Sequence, residues 1–352
     1  MRPLPSSSSA TFDLPTSWTR LGLQLPRNPS GFGHEVVGDP ALVWDEDLPG
    51  WRMFLFCHPP GHGQAVCRTT DRETIPTTWD KPAPLGFANP GDLLGGRTHK
   101  PVVVVDSMDP NRAARIAGRF CLLTVSYRGA HKVVQRAWAE QLAGPWTVEA
   151  GAFIDLGAAD EFDGKHIDAV NGVWFAERGE LLISYMGYPL QAQPRVLSPW
   201  GSAQAMAVAS GTGPARKLGQ VLPPCPIAGH WASGWVGGLQ LIPGKTHRWL
   251  ALINASPTAP RPEDGAISRE EPPPSLGGFA VCDEEWPVHG WRWCDQPIIH
   301  IADLEPAARA EGEGVNCWRH HLLVTKAGAA VYYNSGSYGC EQLYARLAVS
   351  GR

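Results

Sequence analysis

One pattern recurs five times along this chain, and it restricts the fold more than any other feature. An apolar run opened by a polar residue or proline passes through a turn carrying glycine or charge and returns as a second, aromatic-rich run. The first copy is Asp39-Pro40-Ala41-Leu42-Val43-Trp44, a turn over 45–50, and a return over 51–57. The others pair 99–105 with 119–127, 167–175 with 180–185, 234–242 with 248–254, and 315–325 with 329–334. Short apolar runs bounded by turn formers read as strands; buried helix pieces, or a sandwich with irregular loops, would give similar runs, and it is the fivefold recurrence that favours a repeat fold. Successive starts near 39, 101, 168, 235 and 316 leave intervals of 62, 67, 67 and 81 residues, each long enough for two more strands of ordinary length.

Third strands are expected over 64–69, 131–138, 204–210, 278–283 and 341–347, with Trp79, Trp146 and Trp293 marking outer fourth strands. Four-stranded antiparallel sheets repeated around an axis form a β-propeller. The expected fold is therefore all-β, a five-bladed propeller in one domain over 17–352, with residues 1–16 a disordered tail. The last unit runs out of chain before a fourth strand, and the spare run at 18–25 is expected to close it. A Pro/Glu-rich stretch over 256–275 reads as a loop from the fourth blade.

The composition agrees, because 39 Gly, 33 Pro and 15 Trp in 352 residues favour many short strands over long helices. A net charge of −4 with no basic cluster argues against a nucleic-acid partner. No apolar run approaches the roughly 18 residues of a membrane span, and the opening MRPLPSSSSATFDLP has no apolar core, so the expected location is cytoplasmic, with no membrane partner. The eight cysteines are scattered without CxxC or zinc spacing and read as reduced thiols.

In a propeller, the starts of the first strands converge on the axis. That set is His34, Glu35 and Asp39; Arg97, His99 and Lys100; Asp163, His166 and Asp168; His230, Trp231, Ser233 and Trp235; and Glu313, Asn316, Arg319 and His320. Ionisable groups beside aromatic rings suit a concave site for a polar small molecule such as a carbohydrate. Two carboxylates across such a pocket can divide acid and base work, which singles out Asp39 and Asp168. Asp168 lies in an otherwise apolar strand, where an idle buried charge would be costly. Trp231 and Trp235 can stack on a sugar face, although tryptophans in such a fold are as often packing. His320 and His321 alternate in register, so only one faces the channel. Glu341 and Asn334, on second or third strands, read as structural, and Asp283-Glu284-Glu285 as a solvated turn.

Gly38-Asp39-Pro40 before a strand, Asp168 opening the third unit, Tyr333-Asn334-Ser335-Gly336 and Gly339-Cys340-Glu341-Gln342 together resemble the five-bladed propeller glycoside hydrolases of families 43, 32 and 117. The likeness runs from about residue 30 to 348. It implies an inverting glycosidase, an O-glycosyl hydrolase, with Asp39 as general base and Asp168 as modulator of pKa and position. The family-43 acid is a Glu, but the fourth blade reads His230-Trp231-Ala232-Ser233-Gly234-Trp235 without a carboxylate. His230 or Glu313 is left as the acid, or hydrolysis has been lost.

The resemblance implies no required cofactor beyond a structural calcium ion on the axis beside a histidine, for which His320 is nearest. Arg97, His99, Lys100, His166, Trp231, Trp235, Asn316 and Arg319 are the expected substrate contacts. The alternatives are a phosphorylase, with Arg97, Lys100 and Arg319 holding phosphate, and a sugar-binding propeller without catalysis.

Overall fold

The computed structural model describes residues 12–15, 17–28, 30–190, 202–257, 275–299, 306, 310, 312–314, 317–337 and 339–349. They form five antiparallel sheets set in a ring, a five-bladed β-propeller. Blade one holds Val36–Asp45, Gly50–His58 and Gly63–Arg68; blade two holds Thr98–Val103, Arg119–Arg128, His131–Ala139 and Thr147–Val148. Blade three holds His166–Phe175, Glu180–Tyr188, Ala203–Ser210 and Ala215–Leu222; blade four holds Trp235–Pro243, Trp249–Ser256, Leu276–Cys282 and Arg292–Ile299. Blade five holds Cys317–Thr325, Gly328–Ser335 and Gln342–Val349, with Ser17–Leu25 outermost.

The N-terminal strand closes the ring in antiparallel register, from Ser17 opposite Val349 to Leu25 opposite Leu343. Blade one departs from the expected four strands. Among the described residues its outer position is taken by a bridge, in which Gln64 and Ala83 exchange backbone hydrogen bonds at 2.9 Å, while Trp79 turns its ring edge to Tyr332 of blade five. Phe12, expected in a disordered tail, is buried against Phe279 and Trp18, and Asp13 accepts hydrogen bonds from Thr246. Aromatic burial outweighs the entropy of ordering this short stretch. The rest of the tail, residues 1–11 and 16, lies outside the described residues, as does 258–274 of the expected blade-four loop.

Five apolar clusters fill the five interfaces between neighbouring blades. Ala41, Phe54, Val102 and Leu122 join blades one and two, and Leu42, Trp51, Leu323 and Tyr332 join blades one and five. Each inner strand is thus covered on both faces, which is why these strands read as nearly continuous apolar runs rather than alternating ones.

Every inner strand carries a β-bulge at the same level. Pairing skips between Gly38 and Ala41, His99 and Val102, Asp168 and Asn171, Val236 and Leu239, and Trp318 and His320. In four blades one bulge residue is not glycine and has positive φ: Asp39 (49°), Lys100 (57°), Ala169 (48°) and Arg319 (26°). Such backbone costs of order 1 kcal/mol or more and persists where surrounding structure enforces it. Pro40 and Pro101 occupy unpaired bulge positions, where the missing N–H costs no ladder bond. The bulges re-aim side chains at one end of the ring, and that is where the site lies.

Candidate active site

A cavity of about 520 Å³ opens on the propeller axis above the bulges, and all five inner strands line it. All four of the positive-φ bulge residues, Asp39, Lys100, Ala169 and Arg319, are among its walls. Gly38 makes this possible on blade one: a Cβ there would fall 2.5 Å from the Asn334 side chain, whose Oδ1 accepts the Asp39 amide at 3.3 Å.

Asp39 and Asp168 do share the cavity, and Lys100 stands between them. Its Nζ is 2.9 Å from Asp168 Oδ1 and 3.6 Å from Asp39 Oδ2, and Lys132 Nζ holds Asp168 Oδ2 at 2.6 Å. The two carboxylates are 4% and 1% exposed, so none of this charge is diluted by solvent. Burial opposes the charged form of Asp168, but Lys100 and Lys132 more than offset it and hold the carboxyl well below the usual range. Burial likewise works against the Lys100 ammonium, and Asp168 with Asp39 raises it above the ordinary lysine value.

The two histidines of this wall are neutral. Burial, with Lys132 adding to it, pushes His99 well below the ordinary histidine value and His166 down to about 4. His166 Nδ1 accepts the Lys132 amide at 3.2 Å, which leaves the ring proton on Nε2. His99 stacks on Tyr127 at 5.1 Å, and the Arg97 guanidinium also lies over that tyrosine ring, at 4.2 Å. Across the cavity Trp235 and Trp318 form a second stacked pair, 5.5 Å apart at 21°.

Three buried polar atoms of the lining side chains lack a hydrogen-bond partner: Asp39 Oδ2, His99 Nε2 and Arg319 Nη1. The opposite end of the Arg319 guanidinium is anchored, with Nη2 donating to the Val170 carbonyl and to Asn171 Oδ1.

Of the expected site residues, Asp39, Asp168, Arg97, His99, Lys100, His166, Trp235 and Arg319 line the cavity. His230 and Trp231 do not. They turn outward ahead of the strand, His230 Nε2 and Trp231 Nε1 both meeting the Cys294 carbonyl, with Trp293 edge-on to Trp231 at 5.3 Å. Glu313 is also away from the cavity, enclosed by Arg20 at 2.8 Å, Tyr333 at 2.5 Å and Arg346 at 3.4 Å. Asn316 lies outside the described residues.

His320 is buried between blades four and five beside Tyr333 and the Gly277 backbone, and it is His321 that reaches the narrow channel below the cavity, accepting the Leu42 amide. The one-residue bulge at Arg319 accounts for this swap of parity. The His320 surroundings do not fit calcium, which requires several oxygen ligands: both ring nitrogens lack partners, burial holds the ring neutral down to about 3, and the charge that acts on the ring is a cation, Arg346. Among the described residues no cluster of three His, Cys, Asp or Glu side chains suits a metal.

Sequence reasoning passed over Lys132 and Trp318 and read Glu341 and Asn334 as structural, although all four line the cavity. Lys132, Glu341 and Asn334 lie on or beside second or third strands, outside the first-strand starts from which the site was read.

No family model and no curated protein matches this sequence. Solved structures do match its fold. A glycoside hydrolase superposes with a TM-score of 0.68 at 10% identity, over 95% of this chain and 92% of the other. A thermostable family-43 glycoside hydrolase gives 0.61 at 13%, over 93% and 96%. A structure from family 130, which holds mannoside phosphorylases and glycoside hydrolases that target β-1,2 mannosidic linkages in Candida mannan, gives 0.62 at 13%, over 98% and 95%. The fold is that of the glycoside hydrolase propellers. At these identities the likeness speaks for architecture, and the chemistry has to be argued from the cavity.

Proposed function

We propose that this protein is a glycoside hydrolase-like enzyme that binds a small carbohydrate in the axial cavity and cleaves it with inversion. The observation that carries the reading is a set of buried atoms without a hydrogen-bond partner on three blades around one cavity, His99 Nε2, Arg319 Nη1 and Asp39 Oδ2, the last touched only by the Lys100 ammonium at 3.6 Å, beside the Trp235–Trp318 pair. Buried polar atoms without partners are costly, and a polyhydroxylated ligand satisfies acceptors and donors together while its apolar face covers an indole.

In this reading Asp39 removes a proton from the water that attacks the anomeric carbon. Asp168, ionised between two lysines, has no proton to give; its role is to fix Lys100, which in turn sets the field at Asp39. The family-43 and family-130 likenesses support the scaffold for such chemistry.

A phosphorylase is the second reading. It is favoured by Arg97, which lines the cavity and has no carboxylate partner among the described residues, close to Lys100 on the same blade. Turnover of a panel of nitrophenyl glycosides and oligosaccharides, with and without phosphate, tests both. Cleavage by water alone supports hydrolysis, strict dependence on phosphate supports phosphorolysis, and binding without cleavage by either contradicts both.

A further inference from the structure

Expelling a sugar alkoxide requires a proton donor, and a carboxyl serves only if it keeps its proton, reaches the cavity and is not tied to a cation. Four carboxyl side chains line the cavity among the described residues: Glu35, Asp39, Asp168 and Glu341. Asp168 is clamped by Lys100 and Lys132. Glu35 is half exposed and sits on His58 Nδ1 at 2.7 Å. Asp39 is the base of the reading above.

Glu341 stands apart from these. It is 5% exposed and forms no ion pair with any described residue, and the backbone amides of Gly339 and of Glu341 itself lie close enough to act on its carboxyl. Its main chain is fixed against the inner strand of blade one, because the Glu341 carbonyl accepts the Val37 amide at 3.0 Å, two residues before Asp39. Asn334, on the strand paired with the one Glu341 leads into, binds the Asp39 amide from the same side.

We propose that Glu341 is the general acid, an assignment that rests on the hydrolase reading above. The Glu341 carboxyl passes its proton to the glycosidic oxygen as the bond from that oxygen to the anomeric carbon breaks. Water forms the new bond to the anomeric carbon and gives its proton to Asp39. The products are a sugar and an alcohol, and solvent returns the proton from Asp39 to Glu341. The charged groups that act on Glu341 are Asp39 of blade one and Lys100 of blade two. Burial raises the carboxyl above its ordinary value, Asp39 adds to this, and the backbone amides and Lys100 offset only part of it. A donor that stays protonated toward neutral pH is what the step needs.

The test compares wild type, Glu341→Gln and Asp39→Asn on one glycone carried by leaving groups of graded acidity. Glu341→Gln is expected to lose about 100-fold or more on oligosaccharides or alkyl glycosides and under about tenfold on the dinitrophenyl glycoside, which departs without a proton. The alkaline limb of the pH profile is expected to vanish with it. Equal losses on all leaving groups, or no loss, overturn the assignment, while inactivity of Asp39→Asn keeps the hydrolase reading standing. Full turnover by Asp39→Asn, or none by wild type, overturns that reading and the assignment together. Carboxyl-carbon NMR supplies a readout free of turnover: in wild type minus Glu341→Gln, a carboxyl titrating above the ordinary glutamate value is expected, and one titrating at or below it overturns the proposal.

Discussion

Lys100 Nζ lies 2.9 Å from Asp168 Oδ1, in a wall where both groups are largely out of solvent. Two charges so placed depend heavily on each other, since without Lys100 the buried Asp168 keeps only Lys132, and without Asp168 the Lys100 ammonium keeps only Asp39 at 3.6 Å. Lys100→Met is therefore expected to destabilise the protein by about 3 kcal/mol in urea denaturation. Combining it with Asp168→Asn should recover part of that loss, and strict additivity of the two single losses would contradict the coupling.

Trp235 and Trp318 offer stacked indoles to the cavity, whereas Trp231 is spent on Trp293 and the Cys294 carbonyl. Trp235→Ala is expected to weaken carbohydrate binding by about 1 kcal/mol, close to fivefold, as read by calorimetry. Trp231→Phe should leave affinity unchanged and lower only the melting temperature.

Glu313 ties the closing strand to the ring through Arg20 and binds Tyr333 and Arg346 behind it. Because all of its partners are structural, Glu313→Gln is expected to cost stability, about 2 kcal/mol, and to leave the shape of the pH–rate profile intact. A lost alkaline limb in this variant would place the acid here instead.

Acid should weaken the fold well before its carboxylates are protonated. Burial depresses His166 to about 4 and His320 and His321 to about 3, from an ordinary 6.5. Below about 6.5 the unfolded chain then binds more protons than the folded one, so stability falls as pH falls, until the folded values are reached. Asp168 acts in the same direction at lower pH, through its depressed carboxyl, while the raised Glu341 opposes it. The urea midpoint is expected to decline steadily from pH 6.5 to 4. His320→Leu removes a ring whose nitrogens both lack partners, and should flatten that slope and add about 1 kcal/mol at pH 7. A loss of stability at pH 7 would contradict this.

The propeller was legible in the sequence because its inner strands are buried on both faces, so that apolar runs and turn residues recur with the blades. The spare strand-like run at the N-terminus announced the closure because the fifth unit otherwise lacked an outer strand. Cavity-lining residues were legible where strand position alone aims the side chain, as at Asp39, Lys100 and Asp168. They were not legible where a neighbouring blade decides. His230 and Trp231 precede an inner strand by only a few residues, yet the chain there bends toward Cys294 and away from the axis. Glu313 is claimed by Arg20, 293 residues away in sequence. The bulge at Arg319 shifts parity by one, exchanging the places expected of His320 and His321. Glu341 and Lys132 reach the cavity from third strands or their edges, a route no periodicity reveals.

Asp39 bears the most weight, so the most direct measurement pairs turnover with binding in wild type and Asp39→Asn. On a glycoside cleaved by wild type, Asp39→Asn is expected to lose at least about 100-fold in kcat while binding the intact glycoside within a few-fold of wild type. Retained kcat would contradict the assignment of Asp39 as base, and with it the enzyme described above.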